Sequence, residues 1–248
     1  MTHVHGRPAT SVPPSADEQP LRLARTAIAV LLPVVVSLGL LHYAWQRLPW
    51  DSWAPNRPHM AYLFDLSTEA NIATWFDVAV LLTAGLAHAL AGWLALRSGH
   101  PSARYWFVTA VLCVLLSVDD GAVLHEQLDG LGRSLGGGSG LTYAAWVVPG
   151  IALGVLVVTG VVVLAVRVAT SPRWLLLGGI ATFFTGALLL ESLGNAALEE
   201  HGYSREYAHY MVTEELLEST GAVLLLAAGL AAVSVIRRGP DLVVTSRT

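Results

Sequence analysis

The sequence predicts an all-α, polytopic membrane bundle of six transmembrane helices, and three observations carry that expectation. Of the 248 residues, 54% are hydrophobic and only 13% charged, with a mean hydropathy of +0.58; soluble domains carry about 25% charged residues. The apolar residues gather into runs of roughly 20, the length a helix needs to cross hydrocarbon. Between the runs lie short segments rich in Gly, Pro, Arg and interfacial aromatics, which suit turns and the headgroup region.

Residues 1–21 hold Arg7-Pro8 and Val12-Pro13-Pro14-Ser15 and lack apolar periodicity. They are expected to form a disordered cytoplasmic tail, in which His3 and His5 read as ordinary tail residues. Arg22 and Arg25 precede the first run, about 26–45. It is long for the core of a signal peptide and has no small-x-small exit before Tyr43-Ala44-Trp45, so it reads as span one. The loop 46–68 carries Trp50, Trp53, Tyr62 and Phe64, which suit the membrane interface. Spans two to six follow at about 69–96, 105–128, 142–166, 174–199 and 208–236. Gly136-Gly137-Gly138-Ser139-Gly140 joins spans three and four; no Lys-Ser/Thr follows it, so it is a linker and not a phosphate loop. One membrane domain over 22–238 and a cytoplasmic tail at 239–248 complete the expected organisation.

Every basic residue is arginine, a codon-bias mark of a GC-rich genome that says little about mechanism; the expected location is a bacterial cytoplasmic membrane. Arg22, Arg25, Arg97, Arg104, Arg167, Arg173, Arg237 and Arg238 fall on one side of the six spans, and Arg47, Arg57, Arg133 and Arg205 on the other. The richer side is expected to be cytoplasmic, which puts both termini inside. Cys113 is the only cysteine, so an intrachain disulfide, a CxxC redox pair and a Cys-rich metal site are excluded. Nothing in the chain marks nucleic acid as a partner.

Spans one and four are nearly free of ionisable groups, His42 apart, and are expected to face lipid. The polar load falls on spans two, three, five and six, which would form an inner four-helix core: Glu69, Asn71 and Asp77; Asp119, Asp120, His125 and Glu126; Glu191, Asn195 and Glu199; His209, Glu214, Glu215 and Glu218. In the expected topology these positions share the extracytoplasmic half. At 100° per residue, Asp119 and Glu126 fall within about 20° of each other. Tyr207, Met211, Glu214 and Glu218 make one stripe on span six, and Glu191 and Asn195 are one turn apart on span five.

A carboxylate in hydrocarbon costs at least about 2.5 kcal/mol, and neighbouring carboxylates repel unless a cation or shared protons hold them together. No Arg lies inside a span to supply that charge. The expectation is therefore a divalent metal held by Asp119, His125, Glu126, Glu191, His209, Glu214 and Glu218. Glu215, Asp120 and Glu126 are candidates for proton transfer. Glu69, Asn71, Asp77, Asn195, Tyr207 and Met211 are expected to line the substrate pocket. Oxygen-rich donors with a few imidazoles and no thiolate favour iron, manganese or zinc. Four-helix di-metal carboxylate proteins use two Glu-x-x-His pairs; only Glu206-x-x-His209 is present here, so that motif is not met. His88, nearly in register with Asp77, reads as structural.

Ser117-x-Asp119-Asp120-x4-His125-Glu126 and Glu214-Glu215-x2-Glu218-x2-Gly221 resemble motifs of a broad group of bacterial multi-span membrane proteins. The resemblance loosely covers spans two to six, ties the two stretches together as a unit and implies no reaction. The chain departs from the alkaline-ceramidase-like hydrolases: Ser117 and His125 are eight residues apart, and no His-x3-His occurs near the C-terminus. Three functions fit these residues. The first is a membrane metalloenzyme acting on a lipid or other apolar small molecule, hydrolytic or oxidative. The others are a metal-free carboxylic-acid catalyst, such as an isoprenoid cyclase, and a proton- or cation-coupled transporter.

Overall fold

The computed structural model describes residues 18–20, 22–47, 61–238 and 240–246. The N-terminal tail to residue 17, with His3 and His5, and the loop 48–60, with Trp50, Trp53 and Arg57, lie outside the described residues. The fold is a bundle of helices: α1 (Leu23–Arg47), α2 (Ile72–Arg97), α3 (Ala103–Ala122), the short α4 (Asp129–Ser134), α5 (Val147–Ala165), α6 (Thr170–Phe184), α7 (Glu191–His201) and α8 (Arg205–Ala231). A wide π turn, Thr185–Leu190, joins α6 to α7 without a break. Among the described residues, five rods are long and apolar enough to cross a membrane: Leu23–Gln46, Ile72–Arg97, Ala103–Ala122, Val147–Ala165 and Thr170–His201. The 27-residue α8 matches them in length but carries Glu214, Glu215 and Glu218 in its first half.

Helix α8 packs against α1, α2, α6 and the π turn, while α2 packs along α3. The directions follow from close contacts. The Ser219 hydroxyl of α8 donates to Asp77 Oδ2 of α2 at 2.7 Å. Eleven residues further along α2, a Cβ on Gly229 of α8 would come within 2.9 Å of His88 Nδ1, so the two helices run parallel. Helix α3 is antiparallel to α2: a Cβ on Gly85 would come within 3.1 Å of the Ala110 carbonyl oxygen. Small residues at these crossings let the backbones approach, the usual device of helices packed in lipid. The deepest packing lies toward the end where α2 and α8 finish, around Trp106, Leu81, Leu164, Leu176, Leu225 and His88.

Two boundaries differ from the sequence-based expectation. Span three was expected to run to about 128, yet α3 stops at Ala122, because Val123 turns left-handed with φ 51°. Span six was expected to reach 236, yet α8 ends at Ala231 and gives way to β2 (Val233–Arg238). That strand lies between β1 (Glu18–Pro20) and β3 (Asp241–Ser246) in an antiparallel sheet. The tails at 1–21 and 239–248 thus each contribute a paired segment. Alternating β-branched residues in Val233-Ser234-Val235-Ile236 and Val243-Val244-Thr245 favour the pleat over the helix, and Gly239-Pro240 is a turn signal.

Candidate functional site

At the end where α2 and α8 begin, a pocket of about 530 Å³ opens between α3, α5, α6 with its π turn, and α8. One end is polar: Glu69, Asp119, Asp120, His125, Glu191, Glu214, Glu215 and Glu218 all line it. The other end is apolar, walled by Leu112, Leu116, Val157, Phe183 and Phe184 among others. Carboxylates from α3, α7, α8 and the segment before α2 therefore share one chamber.

Each is placed by a local device. The side-chain oxygen of Asn71 caps α2, accepting from the Ala73 and Thr74 N–H groups at 2.8 and 3.0 Å. Immediately before it, Ala70 adopts φ 59°, which fixes how Glu69 leaves the loop. At the end of α3, the left-handed Val123 folds the chain back so that the His125 N–H donates to Asp119 Oδ1 at 2.8 Å, with His125 Nδ1 3.2 Å from Asp119 Oδ2. The His125 ring also lies 4.4 Å, centroid to centroid, from Trp146. Non-glycine residues with positive φ are uncommon, and a β-branched one is an outlier. Among the described residues the two such cases, Ala70 and Val123, both adjoin this pocket.

The π turn sets the third element. A Cβ on Gly186 would fall 2.8 Å from the Glu214 carbonyl oxygen, so only glycine lets the turn lie against α8 at the level of its acids. Glu191 opens α7 directly after the turn, and the Asn195 amide donates to its Oε1 at 2.8 Å. Single π turns inside longer helices commonly mark functional sites. On α8, Glu214 is only 6% exposed; its carboxyl lies within hydrogen-bond reach of the Glu191 carboxyl, while its Oε2 is buried without another partner. Asp120 Oδ2 is likewise buried and unpartnered.

Burial pushes the Glu69 carboxyl above its ordinary value. His125 nearby pulls it back, while the Glu126, Glu191 and Asp119 charges push it further up. For His125, burial opposes the charged ring, but the Asp119 hydrogen bond and the carboxylates of Asp119, Glu191 and Glu69 outweigh it and raise its pKa.

Several expected site residues stand elsewhere. Glu126 is exposed and outside the pocket wall, because the helical register that aligned it with Asp119 ends at Ala122. Asn71 spends its side chain on the α2 cap, its amide donating to the Asp65 carbonyl at 2.7 Å. Asp77 sits behind the pocket, 3% exposed, bonded to Ser219 through one oxygen and unpartnered at the other. Asn195 acts through Glu191 and does not line the chamber. Tyr207 stacks edge-on with Tyr203, and Met211 fills the space beside Gly194 of α7. His209 has its Nδ1 3.4 Å from the Tyr43 hydroxyl, away from the acids. His42 accepts the Leu66 N–H at 3.2 Å and serves the loop, while Glu199 accepts from the Gly140 N–H.

The sequence reading missed the α5 wall, having assigned span four wholly to lipid. Gly150, Leu153, Gly154, Leu156 and Val157 of α5 line the pocket with Trp146. Its signal was present in Gly150 and Gly154, a small-xxx-small pair that admits Leu188 and Phe184 from the facing rod.

The donors fit a hard or borderline divalent cation: several carboxylates, one imidazole, no thiolate. With its ring neutral, His125 held at Nδ1 by Asp119 would carry its lone pair on Nε2, the usual outer-shell arrangement of a metal-binding histidine. Among the described residues, no three of the His, Cys, Asp and Glu side chains are gathered closely enough to grip an ion as they stand. No curated protein and no solved structure matches the chain. Residues 26–233 match the domain of unknown function DUF8692, and with most of its length inside that match the chain belongs to this family.

Proposed function

We propose that the chain is a six-span membrane metalloenzyme, with α8 as the sixth span, acting on a lipid or other apolar small molecule. In this reading it sits in a bacterial cytoplasmic membrane with both termini cytoplasmic and the pocket in the outer half. A divalent metal (iron, manganese or zinc) would be held by Glu191, Glu214 and Glu218 with His125 Nε2, while Asp119 orients the imidazole and Asn195 orients Glu191. A metal there would activate a water or oxygen ligand as a Lewis acid. Asp120 and Glu215, on the same wall, are placed to take or deliver a proton, and the apolar end would hold the chain of the substrate and keep bulk water out.

The observation that carries this is the convergence of seven carboxyl side chains and one imidazole, drawn from four stretches of the chain, on one amphipathic pocket. Acids so gathered repel unless a cation or shared protons hold them together. Elemental analysis of detergent-purified protein tests it: about one ion per chain is expected, retained by wild type and lost in Glu214→Ala and Glu218→Ala. Wild type that folds and carries no metal, even after growth in supplemented medium, would sink the metal reading. The spacing of the acids supports a second reading, in which carboxyls kept protonated act as general acids without metal. Transport is less well supported, since past Asp77 the helices close on fully buried Leu81, Ala84 and Leu225.

A further inference from the structure

The pocket joins a carboxyl-rich end to an apolar end whose rim is exposed. Leu115 and Leu124 of the α3 segment and Leu153 and Leu156 of α5 line the pocket, yet they are 57%, 47%, 51% and 67% exposed. They are therefore both the rim of the chamber and part of the outer surface of the bundle. A gap between two apolar helices admits a hydrocarbon chain from the bilayer. From Trp146 at the polar end to Val157, the α5 wall extends about 16 Å along the helix axis.

The head of such a molecule meets seven carboxyl side chains, Glu69, Asp119, Asp120, Glu191, Glu214, Glu215 and Glu218, and one imidazole. Among the described residues no Arg lines the chamber. Seven carboxyl groups face a single imidazole, and any that are protonated present O–H donors or acceptors. In the metal-free chamber an incoming carboxylate or phosphate would meet like charge in a medium of low dielectric, which opposes its entry. A hydroxyl or ammonium would instead find acceptors, Glu214 Oε2 and Asp120 Oδ2 among them, that have no other partner. Glu214 is more than nine-tenths buried and its Oε2 has no partner, and the exposed leucine rim beside it is an observation separate from the acids.

We propose that the substrate is a single-chain amphiphile with a neutral or cationic hydrogen-bonding head, a long-chain alcohol or amine, which enters sideways between α3 and α5 and is selected against anionic heads. This rests on the pocket reading above but not on the presence of a metal. The test uses full-length protein in nanodiscs and photoreactive long-chain probes of matched tail, bearing amine, hydroxyl, carboxylate or phosphate heads. Labelled peptides are mapped by mass spectrometry. Amine and hydroxyl probes are expected to label α3 and α5 saturably, with the two anionic probes about tenfold weaker. Leu153→Trp, at the lipid-facing rim, is expected to block labelling without disturbing the fold. Glu214→Gln combined with Glu218→Gln is expected to raise labelling by the anionic probes. If the anionic probes label the pocket as well as the others do, the head-group selection is overturned while the pocket stands. If no probe labels these helices above the Leu153→Trp background, the pocket itself is not a lipid site and both readings fall.

Discussion

Asp77 and His88 lie on the same helix, α2, and both are buried, at 3% and 0% exposure. Their surroundings differ in kind. His88 sits in the densest packing of the molecule: its Nδ1 lies 2.8 Å from the Ala84 carbonyl oxygen, its ring faces Trp106 at 5.4 Å, and the Gly229 backbone closes over it. Asp77 backs onto a chamber where acids from other helices crowd together. His88 Nε2 and Trp106 Nε1 are also buried without partners, but these are neutral groups set singly among apolar contacts, and they serve the fold. Carboxyls gathered around a cavity strain the fold, and that strain has to be kept for another reason.

The comparison is sharpest where the two ends are mutated separately. Trp106→Ala at the packed end should destabilise by about 3–5 kcal/mol through the cavity it leaves. It should leave the head-group preference of the pocket intact in whatever protein folds. Thermal unfolding in detergent and probe labelling on the folded fraction measure the two effects. At the acid end the signs reverse. Compared after chelator treatment, Glu214→Gln with Glu218→Gln relieves the crowding of acids, so stability should rise by on the order of 1–2 kcal/mol, while the variant no longer takes up metal. A double variant that is less stable than wild type and still holds metal would erase the distinction between the two ends.

A pH series sharpens the same contrast. In chelator-treated protein, His125 and Glu69 both have pKa values raised in the folded state. The native state then binds more protons than the unfolded chain, so stability falls as pH rises. For His125 the contribution is complete below the ordinary histidine value and fades as pH climbs through the raised one. For Glu69 the loss begins above the ordinary glutamate value. The apparent melting temperature should therefore drop by a few degrees between about pH 5 and 8, and His125→Gln should flatten the upper part of the curve. A melting temperature that rises across this range would show that Asp119 does not hold the imidazolium.

How much of this was legible in the sequence depends on the scale of the signal. The long apolar runs announce themselves, since the helices in lipid must satisfy their own backbone groups. The acids of Asp119-Asp120 and Glu214-Glu215-x2-Glu218 stand out because charge is so rare in those runs. The end of α3 was not legible. Helical periodicity carried Glu126 beside Asp119, and nothing in Ala122-Val123-Leu124 announces a left-handed residue, which valine rarely adopts. The sideways opening was missed for another reason: lipid-facing and pocket-facing leucines have the same composition, and only the glycines of α5 distinguish the wall.

The left-handed turn gives the smallest effect and the most local test. An L-residue in that region costs about 1–2 kcal/mol relative to a right-handed one, and glycine adopts it freely. Glycine also makes the unfolded chain more mobile, which returns about 0.4–1 kcal/mol. Val123→Gly should thus stabilise the protein by between zero and about 1.6 kcal/mol, and Ala70→Gly by less, since alanine is not β-branched. If the turn exists only to connect helices, function should follow stability upward. If it aims His125 at Asp119 and the chamber, the freed backbone should let the imidazole wander, and metal retention should weaken as the melting temperature rises. Opposite movement of the two readouts in Val123→Gly marks strain retained for the site, whereas parallel movement marks an ordinary connector.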